Sequence, residues 1–202
     1  MSNELNVLYE DSHCLVVEKP FNLSVQADSS NDKDLLSLGK DYIKEKYEKP
    51  GNVFLGLVHR LDRPAGGVVI LARRSKAAAR LSKQFRLRTV KKICRVMVEG
   101  RLRSDSGKMV DYLAKDRDAN KSKVVSSHTE GAKKAILDFT VIERRKAYSI
   151  LEITLETGRS HQIRVQLASR GAPVVGDLKY GAKRPLPNRN ISLFAYSIEF
   201  AH

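Results

Sequence analysis

Cysteine is scarce in this 202-residue chain, which carries only Cys14 and Cys94. Two thiols without metal-type spacing make no disulfide framework, and they fit a reducing compartment. Long apolar runs are missing as well. No window approaches the roughly 18 consecutive apolar residues that span a bilayer. The opening Met-Ser-Asn-Glu-Leu-Asn lacks a basic segment followed by an apolar one. The expectation is a cytoplasmic protein with no membrane partner. Clustered carboxylates are also lacking, which argues against an Asp-dependent, metal-using hydrolase on nucleic acid. There is no fixed-period repeat, no low-complexity tail and no linker that would set off a second domain.

Positive charge, by contrast, is abundant. Lys and Arg number 37 against 23 Asp and Glu, a formal net charge of +14. Such a surface attracts polyanions and speeds their encounter. The basic residues are spread along the chain rather than gathered beside one hydrophobic anchor. Nucleic acid, bound through phosphate neutralisation and counterion release, is therefore favoured over a membrane surface. Apolar residues make up 42% of the chain, enough for a folded core.

Hydrophobic patterning predicts strands over Leu5 to Tyr9 and Cys14 to Glu18 around a polar Glu10-Asp11-Ser12 turn. A helix over Asp34 to Tyr47 follows, with Asp32 or Asp34 as N-cap. Short strands are expected at Val53 to Val58 and Val68 to Ala72. Ser75 is expected to cap an alanine-rich helix from Lys76 to about Arg86. Lys92 to Val98 reads as a strand. The polar stretch Arg101 to Gly131 carries short strand candidates at Met109 to Leu113 and Lys123 to Ser126 between charged loops. Ala135 to Val141 and Ser149 to Leu155 alternate as half-buried strands. Ser160 to Ser169 reads as a helix closed by Gly171, and Ile191 to Phe200 as a last strand. The sum is an α+β fold with a mixed, mainly antiparallel central sheet and flanking helices and loops, in one domain over residues 1–202.

Three strings carry chemistry. His59-Arg60-Leu61-Asp62-Arg63-Pro64 places one carboxylate among cations at a Pro/Gly-punctuated turn. Neighbouring positive charge favours the ionised form of an acid, which suits a nucleophile or an electrostatic stabiliser better than a proton donor. A solvated surface ion pair is the plainer reading of that string. In Thr157-Gly158-Arg159-Ser160-His161-Gln162-Ile163-Arg164, a glycine turn leads into a helix start with Arg159, Ser160 and open backbone N–H groups suited to anions. His161 and Arg164, three apart, share a face of that helix. A helix cap with exposed cations is the alternative. In Gly176-Asp177-Leu178-Lys179-Tyr180-Gly181, Lys179 and Tyr180 could meet phosphate or simply pack.

Together these strings resemble the RluA-type RNA pseudouridine synthase family. His59-Arg60-Leu61-Asp62, followed by Ala65-Gly66 and Gly67, matches the main signature, with Ala65-Gly66 where Thr-Ser is usual. The string from Thr157 to Arg164 matches a second motif, with Ser160 where threonine is common. Gly176-Asp177 with Lys179-Tyr180-Gly181 matches a third. Leu15 to Pro20 resembles the opening strand, with Glu18 in place of asparagine.

The resemblance implies the pseudouridine synthase catalytic fold, without a separate N-terminal RNA-binding domain. It implies isomerisation of a uridine in ribosomal or transfer RNA, with no metal or organic cofactor, no obligatory protein partner, and nothing that demands more than a monomer. Asp62 corresponds to the essential carboxylate and Arg164 to the arginine that orients it. Arg60 corresponds to the residue that displaces the target base, and Ile163 to the apolar residue that packs on it. His59, Lys92, Arg159, His161, Lys179 and Tyr180 are further candidate contacts to substrate or to the turn. One departure stands out. Where the family has Lys-x-Tyr, this chain has Lys92-Ile93-Cys94, so the base-stacking ring is replaced by a thiol. An inactive RNA-binding or RNA-remodelling protein on the same scaffold is the alternative which that departure raises.

Overall fold

The computed structural model describes residues 5–27 and 32–202. The chain divides into two compact units. The first comprises residues 1–90 with Ile198–His202, and the second Lys91–Ser197.

In the first unit, β1 (Asn6–Glu10) pairs antiparallel with β2 (Cys14–Lys19), and β2 pairs antiparallel with β4 (Gly66–Ala72). Both faces of β2 and β4 are covered. Leu15, Val17, Val69 and Leu71 pack with Leu35 and Ile43 of α1 (Leu35–Lys46). Cys14, Val16, Ile70 and Ala72 pack with Ala77 and Leu81 of α2 (Ser75–Leu87). A strand buried on both sides loses its polar alternation, which explains the unbroken Leu-Val-Val and Val-Val-Ile-Leu runs.

The ends of these elements follow their local chemistry. Asp34 caps α1, its Oδ1 accepting from the Ser37 N–H at 3.0 Å and its Oδ2 from the Ser37 hydroxyl at 2.9 Å. The second helix departs from expectation. Ser75 is its first residue rather than its cap, and Arg74 occupies the cap position without a side-chain bond. The apolar run at 53–58 forms only a two-residue strand, β3 (Gly56–Leu57), against the end of β4. Val53, Leu55 and Leu57 instead pack at alternate positions on the α1 side of the core. Their pattern records one-sided burial of extended chain, with ladder pairing only at its end.

Glu10 ties the edge of this unit together. Its side chain is nearly buried and accepts from Tyr42 Oη at 2.9 Å, Lys46 Nζ at 2.7 Å, Tyr47 Oη at 2.7 Å and Arg73 Nη1 at 2.8 Å. Arg73 also lies over the Tyr47 ring at 4.7 Å.

In the second unit the strand order is β10-β5-β9-β8-β6-β7. The strands are β5 (Lys91–Glu99), β6 (Ser106–Asp116), β7 (Lys121–Val125), β8 (Lys133–Arg144), β9 (Tyr148–Leu155) and β10 (Leu193–Glu199), whose last two residues belong to the first unit. The β5–β9, β9–β8, β8–β6 and β6–β7 pairs are antiparallel, so the mainly antiparallel α+β class is as expected. The polar stretch from Arg101 is more regular than its composition suggests. Its central strand runs for 11 residues and pairs on both edges. Only Met109 and Leu113 of that strand are buried, so its charged side chains sit on an ordered strand.

The third helix, α3 (Gln162–Ala168), starts two residues later than the sequence suggests. His161 precedes it in the left-handed region, at φ 54°. Val165 of α3 packs with Leu113, Ala135 and Tyr180.

The geometry at Glu10 makes an expected outcome. Burial alone would raise its carboxyl, but the bonds from Lys46, Tyr47 and Tyr42 outweigh that and hold it below the ordinary value. A lowered carboxylate stabilises the fold above its unfolded-state value and loses that contribution as pH falls through the folded one. Glu10→Gln is expected to cost about 1–3 kcal/mol at neutral pH. The gap from the parent should close below about pH 4, as read by urea denaturation across pH.

Candidate functional site

Two clusters, one in each unit, hold the residues singled out by sequence. In the first unit, the turn between β3 and β4 carries His59, Arg60 and Asp62. The Ala65 N–H closes it on the Asp62 carbonyl at 3.0 Å. Asp62 is partly exposed and Arg60 exposed. His59 faces inward. Its Nε2 accepts from the Ile70 N–H at 2.9 Å, and its ring stacks on Phe85 at 4.8 Å with 18° between planes. Accepting at Nε2 puts the ring proton on Nδ1. In this geometry His59 braces the turn between β4 and α2.

Lys19 lies beneath the turn and is fully buried. Its ammonium donates to the carbonyls of Pro20 at 2.9 Å, Leu23 at 2.8 Å and Arg63 at 3.1 Å. These three acceptors use all three of its donors, and one of them belongs to the residue after Asp62. Burial brings Lys19 down to about 8, while the charge of Asp62 opposes that fall and the charge of Arg63 adds to it. Arg63 itself reaches away, donating to the Asn22 carbonyl at 3.2 Å and to Asp32 at 2.6 Å. By sequence Lys19 merely follows a strand. The Lys-Pro break after an apolar run was the available signal, but nothing in it foretells an ammonium at the bottom of a turn 44 residues away.

In the second unit, His161 and Arg164 meet at Tyr180. Arg164 is buried, and its guanidinium grips the buried Asp177 with two bonds, Nε to Oδ2 at 2.7 Å and Nη2 to Oδ1 at 2.8 Å. It also lies over the Tyr180 ring at 5.0 Å. The Tyr180 hydroxyl accepts from the Ser122 N–H at 2.8 Å and lies 2.8 Å from His161 Nδ1. His161 stands before the helix and not on its face, so what it shares with Arg164 is this ring as a partner. Asp177 was visible in the third motif but was given no role. It follows Gly176, whose φ of 87° and close approach to the Asn190 carbonyl leave no room for a Cβ.

The lead into α3 is held by side chains rather than by open N–H donors. Gln162 Oε1 accepts from Thr157 Oγ1 at 2.7 Å and from the Arg159 N–H at 3.0 Å, while its Nε2 donates to the Ile136 carbonyl at 3.0 Å. Arg159 and Ser160, expected at the start of the helix, precede it. The Arg159 guanidinium donates to the Lys134 carbonyl at 2.9 Å. Ile163 is buried on α3. Lys179 is exposed and donates to the Asn120 carbonyl at 3.2 Å.

Lys92 and Cys94 occupy one face of β5. The place a side chain would take at Gly158 lies 3.3 Å from Lys92 Nζ, so the bare glycine makes room for that ammonium. Burial lowers Lys92, opposed by its neighbour Cys94. Cys94 is 5% exposed, sits opposite Ile153 and is pushed up to about 12 by burial. Its thiol stays protonated at neutral pH, which removes it as a proton shuttle and leaves a small apolar filler.

Comparison with known proteins agrees with these motifs. The family described as RNA pseudouridylate synthase matches residues 13–169, and the chain belongs to that family. It is 33% identical over 202 residues to the Bacillus subtilis protein named Uncharacterized RNA pseudouridine synthase YhcT, covering 98% of this chain and 65% of that one. It is 33% identical over 185 residues to ribosomal large subunit pseudouridine synthase D of Pseudomonas aeruginosa, covering 91% of this chain and 56% of that one. The chain thus spans a little over half to about two thirds of the length of these relatives. Human RNA Pseudouridylate Synthase Domain Containing 4 shares its fold, with a TM-score of 0.81 at 22% identity over 96% of this chain and 83% of that one.

Replacing Lys19 tests what holds the Asp62 turn. Lys19→Met strips a buried donor from three carbonyls and is expected to cost about 2–4 kcal/mol at pH 7. The pH dependence has a definite sign. An unfolded lysine keeps its proton to about 10.4, whereas the folded one releases it near 8. Between these values the unfolded chain binds more protons, so this group adds stability as pH rises. The gap between parent and variant should widen from pH 8 to pH 10, as read by urea denaturation.

Proposed function

We propose that this chain converts uridine to pseudouridine in structured ribosomal or transfer RNA, acting in the cytoplasm as a monomer. Family membership together with retention of Asp62 and Arg164 carries this reading. The N-glycosidic bond of the target uridine breaks, the freed uracil turns, a carbon–carbon bond forms to the same ribose carbon, and the proton lost from the ring carbon is balanced by one gained on nitrogen. The reaction is an isomerisation, with no net redox change and no hydrolysis.

Roles follow from the motif matches and from the chemistry of the groups. Asp62 is the essential carboxylate, acting at the ribose or as a base toward it. Arg164 supplies the cation that orients it. Arg60, exposed beside Asp62 in sequence, enters the stack as the target base leaves, since a base must be extruded before its glycosidic bond can be reached. Ile163 packs on the extruded uracil. Lys92, Arg159, His161, Lys179 and Tyr180 contribute positive or polar surface toward RNA or support those that do. The +14 charge supplies affinity through phosphates, while an unstacked loop supplies selection.

A second reading, binding or remodelling of RNA without catalysis, is favoured by one observation. Position 94 holds a protonated thiol where the resemblance leads one to expect a ring. Base stacking on an aromatic is worth about 1–3 kcal/mol, so its loss is large enough to matter.

One assay separates the two. The chain is incubated with unmodified total RNA, and pseudouridine is mapped as a chemical adduct. Product is expected from the parent and none from Asp62→Asn. Equal product from both would remove Asp62 from the mechanism, and no product from either would favour binding alone. In Cys94→Tyr, a gain in rate of about fivefold or more would mean that the ring is missed. An unchanged rate would mean that another group already covers the base.

A further inference from the structure

We propose that Asp11, His13 and His202 form a binding site for a single transition-metal cation of the zinc type, which would tie residue 202 to the β1–β2 turn of the first unit. This site is independent of the RNA reading above. Its three ligand atoms lie within 4.8 Å of one another. His202 Nε2 is 2.6 Å from Asp11 Oδ2, and His13 Nδ1 is 3.8 Å from the same oxygen.

The carboxylate is set in place by the turn. Asp11 Oδ1 accepts from the backbone N–H groups of His13 and Cys14, both at 2.8 Å. That leaves Oδ2 directed at the two imidazoles.

His202 is positioned by its neighbours rather than by chance proximity. Gln84 of α2 clamps Ala201 in both directions, its Nε2 donating to the Ala201 carbonyl at 2.7 Å and its Oε1 accepting from the Ala201 N–H at 2.8 Å. Phe200 packs on the α2-side core. The His202 ring then meets Tyr9, Phe200 and His13 edge-on, with centroids 6.2, 6.1 and 5.8 Å away.

The donor set selects the metal. Two imidazoles and one carboxylate suit zinc, nickel or copper, and are a poor match for magnesium or calcium, which take oxygen ligands. Zinc holds such ligands at about 2.0–2.2 Å, placing neighbouring donor atoms about 3.3 Å apart in a tetrahedron. The Asp11–His202 distance lies below that value and the Asp11–His13 distance above it, so shifts of under about 1 Å complete the set. All three side chains are partly exposed, which leaves the fourth position to water. Two nearby groups take no part. The Cys14 thiol is buried, and Arg73 is committed to Glu10 and to the Asp11 carbonyl oxygen. Ser12 Oγ, 3.0 Å from His13 Nδ1, is displaced when that nitrogen turns to the cation. The site would close a loop of 191 residues between Asp11 and His202, so metal binding should oppose unfolding.

The full chain, stripped with chelator and freed of it, is titrated with zinc chloride by calorimetry and melted with and without the metal. One equivalent is expected to bind, with a rise of several degrees in melting temperature. His202→Ala, His13→Ala and Asp11→Asn should each weaken binding by at least about tenfold and abolish the rise. Asn at position 11 can keep the two backbone bonds, so the turn survives in that variant. His128→Ala, an exposed histidine of the second unit, should bind like the parent. Absence of zinc uptake by the parent would overturn the proposal and leave an Asp11–His202 ion pair only. Unchanged affinity in His202→Ala would equally overturn it by putting the metal elsewhere.

Discussion

A guanidinium taken out of water must be met by a carboxylate, and in the second unit Asp177 meets Arg164 in this way. Both side chains are buried, at 5% and 1% exposure, and two parallel bonds join them. The fork fixes the plane as well as the position of the guanidinium. Much of the surrounding structure serves this pair. Gly176 turns the chain so that Asp177 enters from one side, the Gln162–Thr157 bond fixes where α3 begins, and Tyr180 closes the other side of the guanidinium. A buried pair of this kind gives weak net stability, because desolvation cancels most of the attraction. Its value here is orientation. Arginine in place of lysine matters for the same reason, since only the planar fork is held in two directions at once.

The first unit meets the complementary problem with a different cation. Among the described residues, no carboxylate is bonded to the Lys19 ammonium. Three backbone carbonyls take its protons instead. A compact ammonium suits that role, because its three donors diverge and can gather carbonyls from separate stretches of chain. The result is a turn whose main chain is pinned from below, while the side chains of Arg60 and Asp62 remain at least partly open to solvent. In each unit a buried cation serves rigidity, and the groups proposed to meet RNA are carried on what it holds.

How much of this was legible depended on the range of the interaction. Periodicity found nearly every element, since Leu35, Leu38 and Tyr42 on α1 or Leu151 and Ile153 on β9 report burial by local spacing alone. It failed at Val53 to Val58, where one-sided burial and strand pairing leave the same trace, and at Ser75, where a good capping residue lies one position inside the helix. The motifs named Asp62, Arg164 and Tyr180 because chemistry-bearing residues crowd there. Lys19, Asp177 and Gln162 were not given roles, because what they do is defined by partners 44, 13 and 26 residues distant. Asp11 was read as a turn residue, which it is. Its second oxygen belongs to an encounter with His202 that local sequence cannot express.

Cys94 shows where resemblance and physics part. On β5 its side chain points to the buried face opposite Ile153, a position that rewards small apolar volume. The thiol also cannot inherit a proton-transfer role, because burial keeps it protonated. Lys92, two residues earlier on the same face, brings its ammonium to within 3.3 Å of the place a side chain would take at position 158. The face that would meet a base thus keeps its cation and loses its ring. On the proposed reading, a base held there would be gripped by charge and by apolar contact from elsewhere, which would make packing by residues such as Ile163 more important in this chain than where an aromatic stands at position 94.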